Sequence, residues 1–280
     1  MTWHIRTRPD AIPSAPVEAR LLVNQLLQCN SFDDLSQIRF QVGSVSCFAH
    51  ELLHINQMDG PADSFNFEGD FQKYNGLGWK LQSGRVEIHG DVGSRLGAEI
   101  SGGTIIIHGN AGSWTGVAAS GGRIEINGNS ADWLGANWPG ENKGMTGGEI
   151  FVSGAVGKNA GSRMRRGTIA IGGSAGSGLG LEMIAGSIFV AGKVSPVVGQ
   201  GMKRGSIVII DHGDLNEIIT PSFRPSSAFR PLTLDMQFKY LETNQWQKAI
   251  EMKQKCHTRR LFGDTLALGL GEVIVLSDTV

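Results

Sequence analysis

Two histidines, His89 and His108, stand 19 residues apart at the same place in a repeating pattern, with Asn127 a further 19 along. Neighbouring imidazoles are good zinc ligands, but a protein zinc site needs at least a third donor. No third ligand is evident nearby, so the row reads as a solvated ladder. His50 and His54 have i, i+4 spacing, yet the segment around them reads as extended and they take no role. Gly173-Ser-Ala-Gly-Ser-Gly-Leu-Gly180 has the composition of a phosphate-cradling loop. A dinucleotide fingerprint begun at Gly176 requires glycine where Leu181 stands, and no βαβ unit surrounds it. The chain has no G-x-x-x-x-G-K-[ST] and no G-x-S-x-G elbow, and its Ser, His and Asp residues suggest no triad. Cys29, Cys47 and Cys256 are isolated and lack C-x-x-C spacing, which suggests free buried thiols. No catalytic residue and no metal site is read from the sequence.

Charge is more informative. Lys158, Arg163, Arg165, Arg166, Lys203 and Arg204 make a basic edge on which Arg166 and Arg204 share a repeat position. Such residues ordinarily form a solvated corner, but a strip of stacked cations also suits a polyanion or an acidic partner surface. A second surface signal lies on the outward side of the strands. There Glu87 and Glu125 give way to Phe151, Phe189 and Val208 in later repeats. Outward aromatics imply a covered face, with either the C-terminal tail or another subunit as the cover.

The elements that position these residues follow from glycine spacing. Gly84, Gly103 and Gly122 are 19 apart, as are Gly148, Gly167, Gly186 and Gly205; the one interval of 26 is 19 plus an insertion of seven. Two further glycine series follow each leading glycine by six and by thirteen residues. Between the first and second glycine runs a strand-like alternation: Val86/Ile88, Ile105/Ile107, Ile124/Ile126, Ile150/Val152, Ile169/Ile171, Ile188/Val190 and Ile207/Ile209 point one way. Sixteen residues after the leading glycines comes an apolar row of Ile100, Ala119, Met145, Met164, Met183 and Met202. A unit this short has a perimeter of ~60 Å and no room for a helix, so the pattern predicts a right-handed parallel β-helix with strands ~4.8 Å apart.

Three regions are expected: an N-terminal cap segment over 1–64, β-helix repeats over 65–211 and a C-terminal extension over 212–280. The cap is read with a short helix within 15–27 and an extended stretch over 44–55. The extension is read as a loop rich in Pro, Ser and Arg over 221–231, a helix over 245–255 and an extended end over 265–275. Non-repeating ends suit a solenoid whose edge strands would otherwise be open. The net charge of -1 over 280 residues argues against nucleic acid or a membrane surface as main partner. Met1 to Asp10 has no apolar core of signal-peptide length, and the chain is expected to be cytoplasmic.

The motif G-x-I-x-I-x-G-x-A-G-x-x-x-G resembles the glycine-rich repeat of the C-terminal domain of the glutamate synthase large subunit, shared with the β-helix subunit of formylmethanofuran dehydrogenase. The whole chain looks like the latter family. The similar stretches are Gly109-Asn-Ala-Gly-Ser-Trp114, Gly144-Met-Thr-Gly-Gly148, Arg163-Met-Arg-Arg-Gly-Thr-Ile169, Met202-Lys-Arg-Gly-Ser-Ile-Val208 and the ending from Phe262-Gly-Asp264 to Gly269-Leu-Gly-Glu-Val-Ile-Val275. The resemblance implies a non-catalytic structural subunit of a hetero-oligomeric one-carbon complex, with no cofactor in this chain. In methylotrophic bacteria that complex takes the formyl group from formyl-tetrahydromethanopterin, through a methanofuran- or methylofuran-type carrier, to formate. In methanogens the related complex is a tungsten or molybdenum formylmethanofuran dehydrogenase. Implied partners are an amidohydrolase-like subunit, a molybdopterin-oxidoreductase-like subunit and a formyltransferase subunit. Lost regularity, such as Ala131 and Ser195 in place of glycines, favours the bacterial branch. With a polyglutamate-tailed carrier, Arg163, Arg165, Arg166 and Lys203 become candidate contacts for that tail or for an acidic partner. The rivals are a glutamate-synthase-type module of an amidotransferase and an autonomous enzyme with its site in a groove of the β-helix.

Overall fold

The computed structural model describes residues 2–29, 32–210, 215–226 and 229–278. Its main element is one 13-stranded, mostly parallel sheet. The strands Arg85–His89, Thr104–Ile107, Ser120–Ile126, Gly147–Val152, Thr168–Ile171, Ser187–Val190 and Arg204–Ile210 follow one another in parallel. Register is one repeat per strand: Ile105 faces Ile124, Ile124 faces Ile150, and Ile150 faces Ile169. A second line of parallel bridges joins Phe71, Val92, Ala111, Ser130, Val156, Ala175 and Val194. Each repeat is thus hydrogen-bonded to the next at two places at least. The seven-residue insertion, 137–143, bulges out between these ladders without shifting either register.

All fourteen inward β-branched residues of the alternation are buried, as is the row Ile100, Ala119, Met145, Met164, Met183 and Met202. Fully burying a Val, Ile or Met side chain contributes about 1.5–3 kcal/mol, so every repeat adds several kcal/mol to one continuous core. The glycines fit between. Gly161, at φ +68, has Ile188 Cδ1 only 2.5 Å from where a Cβ would stand. The third glycine series is therefore where the backbone turns tightly against isoleucines of the sheet. One corner carries a polar ladder that the sequence reading did not identify. Asp91 accepts from the Asn110 amide (2.7 Å), Asn110 from that of Asn129 (2.8 Å), and Asn129 from that of Ala155 (2.8 Å). The Asn110 N–H holds the Asp91 carboxyl below the usual carboxylate range.

Both ends join the stack. Thr2–Thr7 lies parallel to Ser64–Glu68, which lies parallel to Arg85–His89, and Leu53–Met58 closes that end antiparallel. At the other end Leu270–Ser277 returns to lie parallel to Arg204–Ile210, and His257–Gly263 closes it antiparallel. Val17–Glu18, Arg39–Val42, Val45–Phe48 and Tyr74–Asn75 form a separate four-stranded sheet. The stretch expected to be extended over 44–55 is broken by the turn Ala49–Leu52, which carries His50, while His54 sits on the next strand. The expected boundary between residues 211 and 212 lies outside the described residues.

The C-terminal segment holds two helices, Leu232–Thr243 and Lys248–Lys253. Only the second was expected. Leu234, Phe238 and Leu241 bury one stripe of the first helix against Phe151, Phe189, Val208 and Ile274 on the outer side of the sheet. Phe238 and Phe189 meet with ring centroids 5.9 Å apart. Of the two covers that the outward aromatics allow, the chain's own tail is the one present. No helix among the described residues is long and apolar enough to cross a membrane.

Two outcomes follow from this packing. A Cβ at Gly90 (φ +149) would stand 2.0 Å from the Gly69 carbonyl oxygen, whereas one at Gly140 meets nothing within 4 Å. Gly90→Ala is expected to cost more than ~2 kcal/mol in denaturant unfolding and Gly140→Ala about 1 kcal/mol; equal costs would refute close packing at the first site. Phe238→Ala should cost about 3–5 kcal/mol and uncover apolar surface, read as a rise in binding of a hydrophobic dye.

Candidate functional site

The basic edge is built by the buried methionine row. Backbone amides of Arg165, Ile184 and Lys203 donate to the carbonyls of Met145, Met164 and Met183, one repeat back. Arg165 and Lys203 are thereby two repeats apart on one corner, ~10 Å at the usual strand spacing, with Arg166 and Arg204 beside them. All four are exposed. Among the described residues, no ion pair involves any of these four side chains. Arg163 is different. Its Nε donates to Glu182 Oε2 (2.7 Å), and its Nη1 donates to the Glu141 carbonyl (2.8 Å) and Asn142 Oδ1 (3.3 Å). Its own carbonyl accepts from Gly144. Arg163 therefore ties down the insertion, and its charge is already partnered. Lys158 is exposed and sits before Asn159 and Gly161, on a different corner from the Arg165–Lys203 pair.

The insertion is also fastened by tryptophans whose sequence positions gave no hint of contact. Trp138 stacks on Trp79 (5.5 Å) and Trp114 (6.0 Å), Trp114 stacks on Trp133 (4.9 Å), and Trp138 Nε1 donates to Glu99 (3.2 Å). Trp114 and Trp133 are one repeat apart, so the ladder aligns their rings; Trp138 reaches them from the insertion.

The outer face of the sheet is divided. Its later strands lie under the two helices, while the earlier ones carry Arg85, Glu87, His89, His108, Arg123 and Glu125 in the open. Arg123 marks the boundary. It donates to Asn244 Oδ1 (2.6 Å) and to the Asn244 carbonyl (2.8 Å), lies 3.6 Å from Glu149, and covers the Phe151 ring. Burial pushes the Glu149 carboxyl up, opposed by Arg123 and reinforced by Glu125. A cleft of about 420 Å³ opens here between Glu125, Asn127 and the 244–248 linker. Farther out, the His89 and His108 rings do stack, with centroids 4.5 Å apart and planes 12° apart. A third donor, which the sequence reading found no sign of, stands beside them. Glu87 Oε1 is 2.8 Å from His108 Nε2 and 3.8 Å from His89 Nε2. The hydrogen bond from His108, with a further one from Arg85, holds the Glu87 carboxyl below its usual range.

Gly173 to Gly180 is part of the stack. Its Gly173, Gly176 and Gly180 amides donate to Gly154, Val156 and Ala160, and the Ala175 amide donates to Lys193. Backbone N–H groups spent in this way are not free to cradle a phosphate. Cys29 and Cys47 are half-buried, and burial pushes both thiols up, which keeps them protonated and poorly nucleophilic. Cys256 is exposed, where the sequence reading expected a buried thiol.

The two kinds of basic residue are separable by experiment. Arg163→Ala should lower stability by about 1 kcal/mol through loss of its charge-assisted bonds, discounted for exposure. Arg165→Ala should stay within about 0.5 kcal/mol. Thermal unfolding of both variants checks this, and an equal loss would mean that Arg165 is structural as well.

No protein-family model matches the chain, and no curated protein matches it. Among solved structures, a chain in the X-ray crystal structure of the formyltransferase/hydrolase complex (FhcABCD) from Methylorubrum extorquens in complex with methylofuran is similar. The two are 27% identical, with a TM-score of 0.87, over 98% of this chain and 99% of that one. The likeness thus includes both ends as well as the repeats.

Proposed function

We propose that this chain is the β-helical scaffold subunit of a formyltransferase/hydrolase-type complex, and that it holds catalytic partners together without a catalytic centre of its own. The observation that carries this is the extent of the likeness: 98% of one chain and 99% of the other at a TM-score of 0.87. A glutamate-synthase-type module is disfavoured because the similar chain has the same extent and the same ends. The repeat ladders, the second line of bridges and the tight glycine corners support a right-handed parallel β-helix over 65–211. The segments 1–64 and 212–280 act as its non-repeating caps.

On this reading the complex works in cytoplasmic one-carbon oxidation. It passes a formyl group from formyl-tetrahydromethanopterin through a methylofuran-type carrier to formate. The expected companions are amidohydrolase-like, molybdopterin-oxidoreductase-like and formyltransferase subunits. The exposed cations Arg165, Arg166 and Lys203 suit an acidic carrier tail or an acidic partner surface, because stacked charges at repeat spacing meet successive carboxylates. Arg163 contributes by shaping the corner, since Glu182 already neutralises it.

Purification of the tagged chain from its host, followed by mass spectrometry, should recover those three companions. Recovery of the chain alone would remove the scaffold reading. Within the complex, Arg165→Glu combined with Lys203→Glu should reduce turnover roughly threefold to tenfold at low salt, with the gap closing near ~0.5 M as screening takes over. Unchanged kinetics and unchanged assembly at low salt would end the role given to this edge.

A further inference from the structure

We propose that Glu87, His89 and His108 form a binding site for one zinc-class divalent ion with an open coordination position. Glu87 and His89 are two residues apart on Arg85–His89 and point to the same outer face, ~6.5 Å apart along the strand. His108 follows Ile107 in the parallel neighbour, which places it beside His89 at the ~4.8 Å strand spacing. Two donors on one strand and a third alongside make a triangle from which three side chains converge on a point above the sheet. The three donor atoms already lie within 4.8 Å of one another. Zinc bonds of ~2.0–2.2 Å bring ligand atoms to roughly 3.3–3.5 Å apart, so the donors need only side-chain rotation to close on an ion.

The nearby groups support this arrangement. The Asn127 amide nitrogen lies 3.1 Å from His108 Nδ1. Its amide flipped, Asn127 accepts the Nδ1 proton and leaves Nε2 as the free ligand, the outer contact that orients most metal-bound histidines. The strands beneath are held by Val86, Ile88, Ile105 and Ile107, all fully buried, so the backbone of the triangle is rigid. Two changes accompany binding. The stacked rings must tilt so that their in-plane lone pairs meet at the ion, and Arg85, now 3.1 Å from Glu87, must yield its hold on that carboxylate. Two imidazoles and one carboxylate suit zinc, with nickel and copper as competitors, and do not suit magnesium or calcium. The outward side remains open to water or to a donor from another chain.

The test uses the full chain without a histidine tag, stripped by a chelator, dialysed and titrated with zinc chloride by calorimetry. Cobalt(II) substitution then reports the ligand field by its visible absorption. One equivalent is expected to bind with a Kd on the order of micromolar. His89→Ala, His108→Ala and Glu87→Gln should each weaken binding at least ~10-fold, and Asn127→Ala several-fold. His54→Ala, also on the outer face but on Leu53–Met58, should leave it unchanged, and thermal unfolding confirms that every variant folds. The proposal is overturned if zinc fails to bind at ~100 µM, if the His89 and His108 variants bind as well as the parent chain, or if His54→Ala loses as much as they do.

Discussion

The structure depends on one constraint, the parallel hydrogen-bond register in which each repeat lies directly on the last. A repeat of 19 residues encloses so little space that one layer of apolar side chains fills it. A shift by one residue would turn every inward isoleucine outward. The register is held from three sides at once: the strand ladder, the second line of bridges and the Asp91–Asn110–Asn129 corner, where side chains accept from the backbone of the next repeat. Glycine is required where backbone passes so near its neighbour that a Cβ has no room, as at Gly161 against Ile188.

The same periodicity organises the outside. Whatever stands at one outward position recurs one strand-width away, so single residues become rows. In the later repeats the row is apolar, with Phe151, Ala170, Phe189 and Val208, and the C-terminal helices bury it. In the earlier repeats the row is polar and stays open. Arg123 joins the two regimes, with its guanidinium over the Phe151 ring and its hydrogen bonds to Asn244. The tail thus does two things: its helices cover the apolar rows, and its last strand extends the sheet along Arg204–Ile210.

How far the candidate sites could be read in advance depended on the range of the interaction. Arg165, Arg166, Lys203 and Arg204 were legible as an edge because periodicity alone aligns them. The distinct role of Arg163 was not, because its partner Glu141 belongs to an insertion whose path has no periodicity. His89 and His108 were legible as a stacked pair. Glu87 was also at a known outward position, but its side chain reaches across the strand gap to His108, and spacing does not report the direction of a rotamer. The helix Leu232–Thr243 had a signal that was passed over: Leu234, Phe238 and Leu241 follow the i, i+4, i+7 stripe of a helix buried on one side.

Sequence alone determined the repeat length, the inward residues, the glycine corners, the place of the insertion and the alignment of like residues along each face. These are local or strictly periodic properties, written wherever a side chain's size and polarity must match its position in a unit. Tertiary structure decided what covers the aromatic rows, how the two ends join the sheet, which cations remain unpartnered and which donors converge beside His108. Those outcomes depend on contacts between residues as far apart as Arg123 and Asn244, and no short-range pattern encodes which distant segment wins a given surface.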